Sequence, residues 1–484
     1  MEGEGERSLG SQQFWSFEGG SVGARSFDMS HAAADGTDGL RGKSVGATIM
    51  AHKELVTKEC LEAGPGVEPS CRITSEKVVE SGIPLHLCRR DHAYPKNSVE
   101  GSAIATFAVL EKSLSTFEKE FSSSRRPAPV WMLVLPELKT DYLATRFSGE
   151  KVKASRQRVD NAFWGLTTGR TAMGTELKIG LISVLPPSKS FQKENSASAT
   201  GLWELPFVIA HEYGHHVFYS KIENLETVLE SGSGAKELAL AKEFNRSSHP
   251  IVSEGERGFE RRFVEGSFPS TYPSLKRSSA STAGKPTRVV RLFDAMQSIN
   301  ESFADLFGEL VFPAASASMK AIPGVCLNRE IARESFRFSK QEVAKRLDSF
   351  QLEQFLSPEF AASENPDSEG CIAPSYQDSH VIGAIIAHGA DAIIKAGEQG
   401  LRGRTLELWL NRLNTQWPEL VQLSPADFLE NSVWSLVRAA AQSSSSGRLN
   451  AEQCAAVARV FPAYFRSQSA THVELGCGSA TVAN

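Results

Sequence analysis

Apolar positions along this chain switch between two periods. From Ile104 onward, Phe107, Leu110, Leu114, Phe117 and Phe121 recur at steps of three and four, which places them on one face of an amphipathic helix. A strand is expected at Val130 to Leu135, an apolar run with prolines on both sides, and shorter strand-like runs surround Asn161 to Trp164 and Leu177 to Val184. The next helix starts near Pro206, since a first-turn proline has no amide hydrogen to leave unpaired, and it runs to about Tyr219. Leu292 to Val311 reads as a long buried helix stopped by Pro313. Helical patterns dominate the remainder. Ser424-Pro425 places a capping hydroxyl before a first-turn proline, and Asn450-Ala451-Glu452-Gln453 resembles a capping box.

These elements divide the chain into four segments. Residues 1–95 mix Gly, Ser and acidic positions with little periodicity and read as an extension of unknown role. Residues 96–221 form a mixed α/β lobe. Residues 222–290 are charged and loop-rich, and Lys276 to Gly284 has no apolar period with which to pack, so it is expected to be exposed and mobile. Residues 291–484 form a mostly helical lobe.

Composition narrows the function classes. With 484 residues, 41% of them hydrophobic, the chain can bury a large core and should form two or three domains. A net charge of -5 argues against nucleic acid as the main partner. No stretch reaches the roughly 20 apolar residues of a membrane span; even Val381 to Ile394 is broken by His388 and Asp391. The acidic, then Gly/Ser-rich start reverses the order of a secretory signal, so no signal peptide is visible. Seven cysteines contain no CxxC pair, which argues against a zinc knuckle, and an odd count leaves at least one thiol outside any disulfide in a monomer.

Chemistry concentrates at His211-Glu212-Tyr213-Gly214-His215, an HExxH pattern on an expected helix. Residues four apart share a helical face, so both imidazoles can reach one metal ion while Glu212, a quarter turn away, addresses a bound water. A catalytic zinc needs a third protein ligand. Glu301 is the best candidate, because a carboxylate inside an apolar helix is costly unless a cation meets it. Asp305, four residues on, can accept a hydrogen bond from the free ring nitrogen of a ligand histidine. The competing reading of Glu301 and Asp305 is a pair of solvated acids on an exposed helix edge.

The segments Val208 to His215 and Asn300-Glu301-Ser302-Phe303-Ala304-Asp305 resemble, in order, the metal-binding and third-ligand helices of the thermolysin-like zinc metallopeptidases, the gluzincins. Asn161-Ala162-Phe163-Trp164 is similar to that family's edge strand, which holds an extended peptide by strand addition. Asp378-Ser379-His380 and the apolar run after it resemble the segment whose histidine stabilises the oxyanion, a role that falls on His380 here; a lone histidine in that setting otherwise reads as structural. The resemblance spans roughly residue 100 onward. It implies an α+β, two-lobed fold with zinc between the lobes, His211, His215 and Glu301 as ligands, and Glu212 as general base. Asn300, Asp305 and Asp378 are implied as supporting polar residues. It further implies that Asn161, Ala162 and Val208 bind substrate, that hydrophobic residues are preferred on the amine side of the cleaved bond, and that the enzyme works outside the cytoplasm, secreted or periplasmic.

The chain departs from the family pattern in several places. Eighty-five residues separate His215 from Glu301, which marks 222–290 as an insertion. Neither Tyr219 nor Tyr272 can be assigned as the oxyanion tyrosine, Ser375 stands where the histidine's carboxylate partner is expected, and Arg329, Arg333 and Arg337 are nominal choices for a substrate-clamping arginine. Phe207 and Phe312 occupy positions of two calcium-binding carboxylates, and phenyl rings cannot coordinate calcium, so the double calcium site is expected to be absent. The expected activity is zinc-dependent endoproteolysis of a peptide or protein substrate. Its rivals are a narrow-specificity processing peptidase and a non-catalytic, zinc-bound binding protein. The oligomeric state is open.

Overall fold

The structure is a computed structural model and describes residues 7–8, 11–18, 21–28, 33–34, 40–61, 70–80, 92–94, 98–122, 124–134, 138–145, 151–158, 161–170, 176–185, 206–222, 264–265, 292–313, 379–398, 400–423, 425–461 and 474–477. Most of 222–290, including Lys276 to Gly284 and Tyr272, lies outside the described residues, as do Arg329, Arg333, Arg337, Ser375, Asp378 and Ser424.

One eight-stranded sheet contains β1 (Val45–Leu61), β2 (Ser70–Glu80), β3 (Val130–Val134), β4 (Leu138–Thr145), β5 (Lys151–Arg158), β6 (Asn161–Arg170), β7 (Glu176–Leu185) and β8 (Val264–Glu265). Its order is β5-β4-β1-β3-β7-β6-β8, with β2 also paired to β1. The centre is parallel: Thr48 and Ile182 are both in register with Met132, and Met50 and Val184 with Val134. Val130, Met132 and Val134 are buried, as the two-residue period of a strand requires for one core-facing side. Part of the N-terminal extension thus supplies a central strand. Two three-stranded sheets account for the short strands among the described residues before residue 94.

Seven helices are described: α1 (Val99–Glu120), α2 (Pro206–Lys221), α3 (Leu292–Val311), α4 (Ser379–Lys395), α5 (Arg402–Leu420), α6 (Pro425–Ser443) and α7 (Ala451–Val460). Proline opens α2 and lies just past the end of α3, where the sequence places it. At α7 the capping box forms: the Asn450 side chain accepts from the Gln453 amide at 2.8 Å, and the Asn450 amide donates to the Gln453 side chain at 3.1 Å. Cys454 and Cys477 form a disulfide. No helix among the described residues is long and apolar enough to cross a membrane.

The chain divides into two compact units, and two of the boundaries fall inside α1 and α2. The first holds the sheets, α1 to Leu114 and α2 to His216. The second holds the later turns of those helices together with α3 to α7. Its core is aromatic: Phe303 of α3 packs against Phe121, Phe218 and Trp409 with centroids 6.5, 5.7 and 6.2 Å apart. Every residue from Ser298 to Glu309 is buried, so this stretch of α3 is enclosed on all sides. Its polar side chains must therefore find partners in protein or in a bound ion.

Candidate metal centre

Helix α2 carries His211 and His215 one turn apart, and both are buried. Their rings stand nearly perpendicular, at 85°, with centroids 4.6 Å apart. Glu301, on α3, is only 3% exposed, which rules out the solvated-edge reading; Asp305, one turn on, is 1% exposed. One ligand atom from each of His211, His215 and Glu301 lies within 4.8 Å of the others. A tetrahedral zinc with bonds of about 2.1 Å separates its ligands by about 3.4 Å, a spacing of the same order. Two imidazole nitrogens and a carboxylate oxygen suit zinc without being exclusive to it.

Two contacts hold Glu301 in place. Gln297, one turn before it, donates to Oε1 at 2.9 Å. Gly383 of α4 lies against it so closely that a Cβ there would be 2.6 Å from the Glu301 Cβ and 3.0 Å from the Ser298 carbonyl. Ser302 closes this approach by donating to the Gly383 carbonyl at 2.9 Å. His380 is the second residue of α4, three positions before Gly383.

Glu212 is 9% exposed and accepts a 2.6 Å hydrogen bond from the Trp164 amide of β6. That bond identifies the outer edge of β6. Amides two residues apart point the same way along a strand, so Ala162 presents its backbone to the edge that holds Glu212. On that edge the described pairing partner, β8, reaches only Gly165 and Leu166. Among the described residues, the stretch from Asn161 to Trp164 therefore has a strand on one side only, through β7.

The chain matches no protein-family model and no curated protein.

His216, which follows His215, is not among the residues the sequence pattern singles out. Its Nε2 donates to the Ala128 carbonyl at 2.7 Å, which leaves Nδ1 bare beside Gly180. Burial pushes its pKa down to about 4, against the upward pull of the Ala128 carbonyl. The ring is a neutral wedge between α2 and the sheet, with Trp164 and Tyr213 alongside. A doubled histidine in an apolar helix was the available signal, but only the Gly180 contact shows which element it meets.

The remaining expected residues are distributed as follows. Asn300 is buried on α3 beside Glu301, Val208 is half-buried one turn before His211, and Ala162 is buried in β6. Phe207 and Phe312 are 1% and 6% exposed, with the Phe207 ring tilted at 36° to that of His211 and 6.4 Å from it between centroids.

Proposed function

We propose that this chain is a zinc-dependent endopeptidase of the thermolysin-like type. The observation that carries the reading is the convergence of His211, His215 and Glu301 next to Glu212, whose carboxylate is fixed by a strand amide. Zinc bound there supplies a Lewis acid that lowers the pKa of water and polarises the scissile carbonyl.

The chain's own groups do the rest. Glu212 accepts a proton from the attacking water and passes it to the departing amine, so the proton removed in the first step is returned in the last. The Trp164 amide holds that carboxylate in place by donating to one of its oxygens. An extended peptide adds to the edge at Asn161 and Ala162 as a further strand, which brings its backbone alongside Glu212. Val208 lines an apolar pocket on the amine side of the cleaved bond, and His380 donates to the developing oxyanion.

Metal analysis combined with cleavage-site profiling of the wild type and Glu212→Gln tests this. The wild type should bind one zinc and cut generic peptides before hydrophobic residues, and the variant should keep the zinc while losing activity about 10²–10⁴-fold. Full biological activity in a zinc-loaded Glu212→Gln protein would remove the hydrolase reading and leave a binding protein. Slow cutting of every generic peptide by the wild type would replace general endoproteolysis with narrow processing.

A further inference from the structure

Among the described residues of the second unit, arginines in two settings contrast. Arg402 is neutralised: its guanidinium contacts Glu309 at 3.2 Å and also Asp391. Arg412 and Arg438 are treated differently. They line one surface cavity of about 490 Å³ bounded by α5, α6, Gly447 and Glu474-Leu475. Neither forms an ion pair with a carboxylate among the described residues, although Glu474 lines the same cavity. Arg412 donates to the neutral Gln442 side chain at 2.9 Å, while its buried Nε has no hydrogen-bond partner among the described residues.

Two cations left side by side carry a cost. Burial, followed by the charge of Arg438, lowers the pKa of Arg412 from its usual value. The wall opposite is fixed: the Leu449 amide donates to the Leu475 carbonyl at 2.9 Å, Gly447 takes a left-handed φ of 70°, and the Cys454–Cys477 disulfide ties residues 474–477 to α7. The cavity volume is within the range of small-molecule pockets, roughly 300–1,000 Å³. Its polar groups are mainly donors, and guanidinium forks match planar or tetrahedral oxyanions.

We propose that this cavity binds a small ligand through an oxyanion, a phosphate or carboxylate group held jointly by Arg412 and Arg438. The cavity shares no residue with the metal centre, so the inference stands whether or not the chain is a peptidase. Binding relieves the repulsion between the two guanidiniums. Glu474 opposes the ligand's charge and sets a limit on affinity.

Isothermal titration of the full chain with inorganic phosphate and, separately, with succinate tests the proposal at low ionic strength. One saturable site is expected, with dissociation constants below about 10 mM. Arg412→Gln and Arg438→Gln should each weaken it about tenfold or more, Arg438→Lys should weaken it because the fork is lost while the charge stays, and Glu474→Gln should strengthen it. Arg459→Gln, on the exposed face of α7, serves as a control and should leave binding unchanged. Saturation by phosphate alone assigns a phosphate ester, and saturation by succinate alone assigns a carboxylate. No saturable binding of either probe, or equal loss in the Arg459→Gln control, overturns the proposal. If an Arg→Gln variant fails to fold by circular dichroism, Glu474→Gln decides: unchanged or weaker binding overturns it as well.

Discussion

Gly180→Ala is the most direct test of how the sheet is fitted to α2. A Cβ at this position would lie 2.5 Å from the His216 Nδ1, 2.8 Å from its Cε1 and 3.3 Å from the Trp164 Nε1. The ring cannot swing aside freely, because its Nε2 bond to the Ala128 carbonyl fixes it from the other end. Overpacking of this kind costs about 1–3 kcal/mol, and the lower entropy of an unfolded chain with alanine returns about 0.4–1 kcal/mol. A net loss of about 1–2 kcal/mol is expected. His216→Ala should itself cost about 2–3 kcal/mol, chiefly because a buried carbonyl loses its donor. In the double variant the added methyl group occupies space the ring has vacated. The combined loss should therefore fall short of the sum by at least about 1 kcal/mol. Urea unfolding of the four proteins, followed by circular dichroism with metal chelated, gives the cycle. Additivity within about 0.5 kcal/mol would refute the contact.

Three further predictions concern charge. Because the folded state holds His216 near a pKa of 4 and the unfolded chain near its ordinary 6.5, the unfolded state binds more protons between those values, so stability falls as pH drops from 6.5 to 4. His216→Gln should flatten that fall by about 3 kcal/mol in metal-free protein, and identical pH profiles would count against the assignment. Arg402→Met removes the better-buried of two cations that reach Glu309 and Asp391, and should cost about 3–5 kcal/mol in urea unfolding; a loss below about 1 kcal/mol would make the cluster a surface-type pair. A calcium-selective chelator, with zinc kept saturated, should leave the melting temperature unchanged in calorimetry, since the buried Phe207 and Phe312 side chains offer no oxygen to a calcium ion.

Local signals made some of this legible. The HExxH spacing, the apolar period of Leu292 to Val311 and the proline before Phe207 each act over a few residues, and α2 and α3 fall where those signals put them. The burial of Glu301 was readable for the same reason: its apolar neighbours surround it in sequence. Long-range fits were not readable. Nothing near Trp164 announces that its amide will meet Glu212, 48 positions away, and nothing near Gly383 announces a helix crossing at Glu301. The run Val45 to Met50 carries an apolar pattern too short to name its partner strand, so its parallel pairing with β3 emerges only in the fold. A glycine in a strand or helix signals close approach without saying to what.

The buried carboxylate on α3 makes the metal reading testable through stability alone. Glu301 is 3% exposed, and in metal-free protein its negative charge must be held in the core with the Gln297 amide donating to one oxygen. Glu301→Gln removes that charge while keeping the shape, so without metal the variant should be as stable as the wild type or more so, by about 1–3 kcal/mol. Free zinc at a hundred times the dissociation constant should then raise wild-type stability by about 2.7 kcal/mol, because the ion binds only the folded state. The variant lacks the anionic ligand and should gain less than about 1 kcal/mol at the same zinc concentration. The two stability curves must therefore cross as zinc rises through a chelator-buffered series. A variant that is less stable by one constant amount at every zinc level would mean that Glu301 serves packing alone, and that His211 and His215 hold no ion with its help.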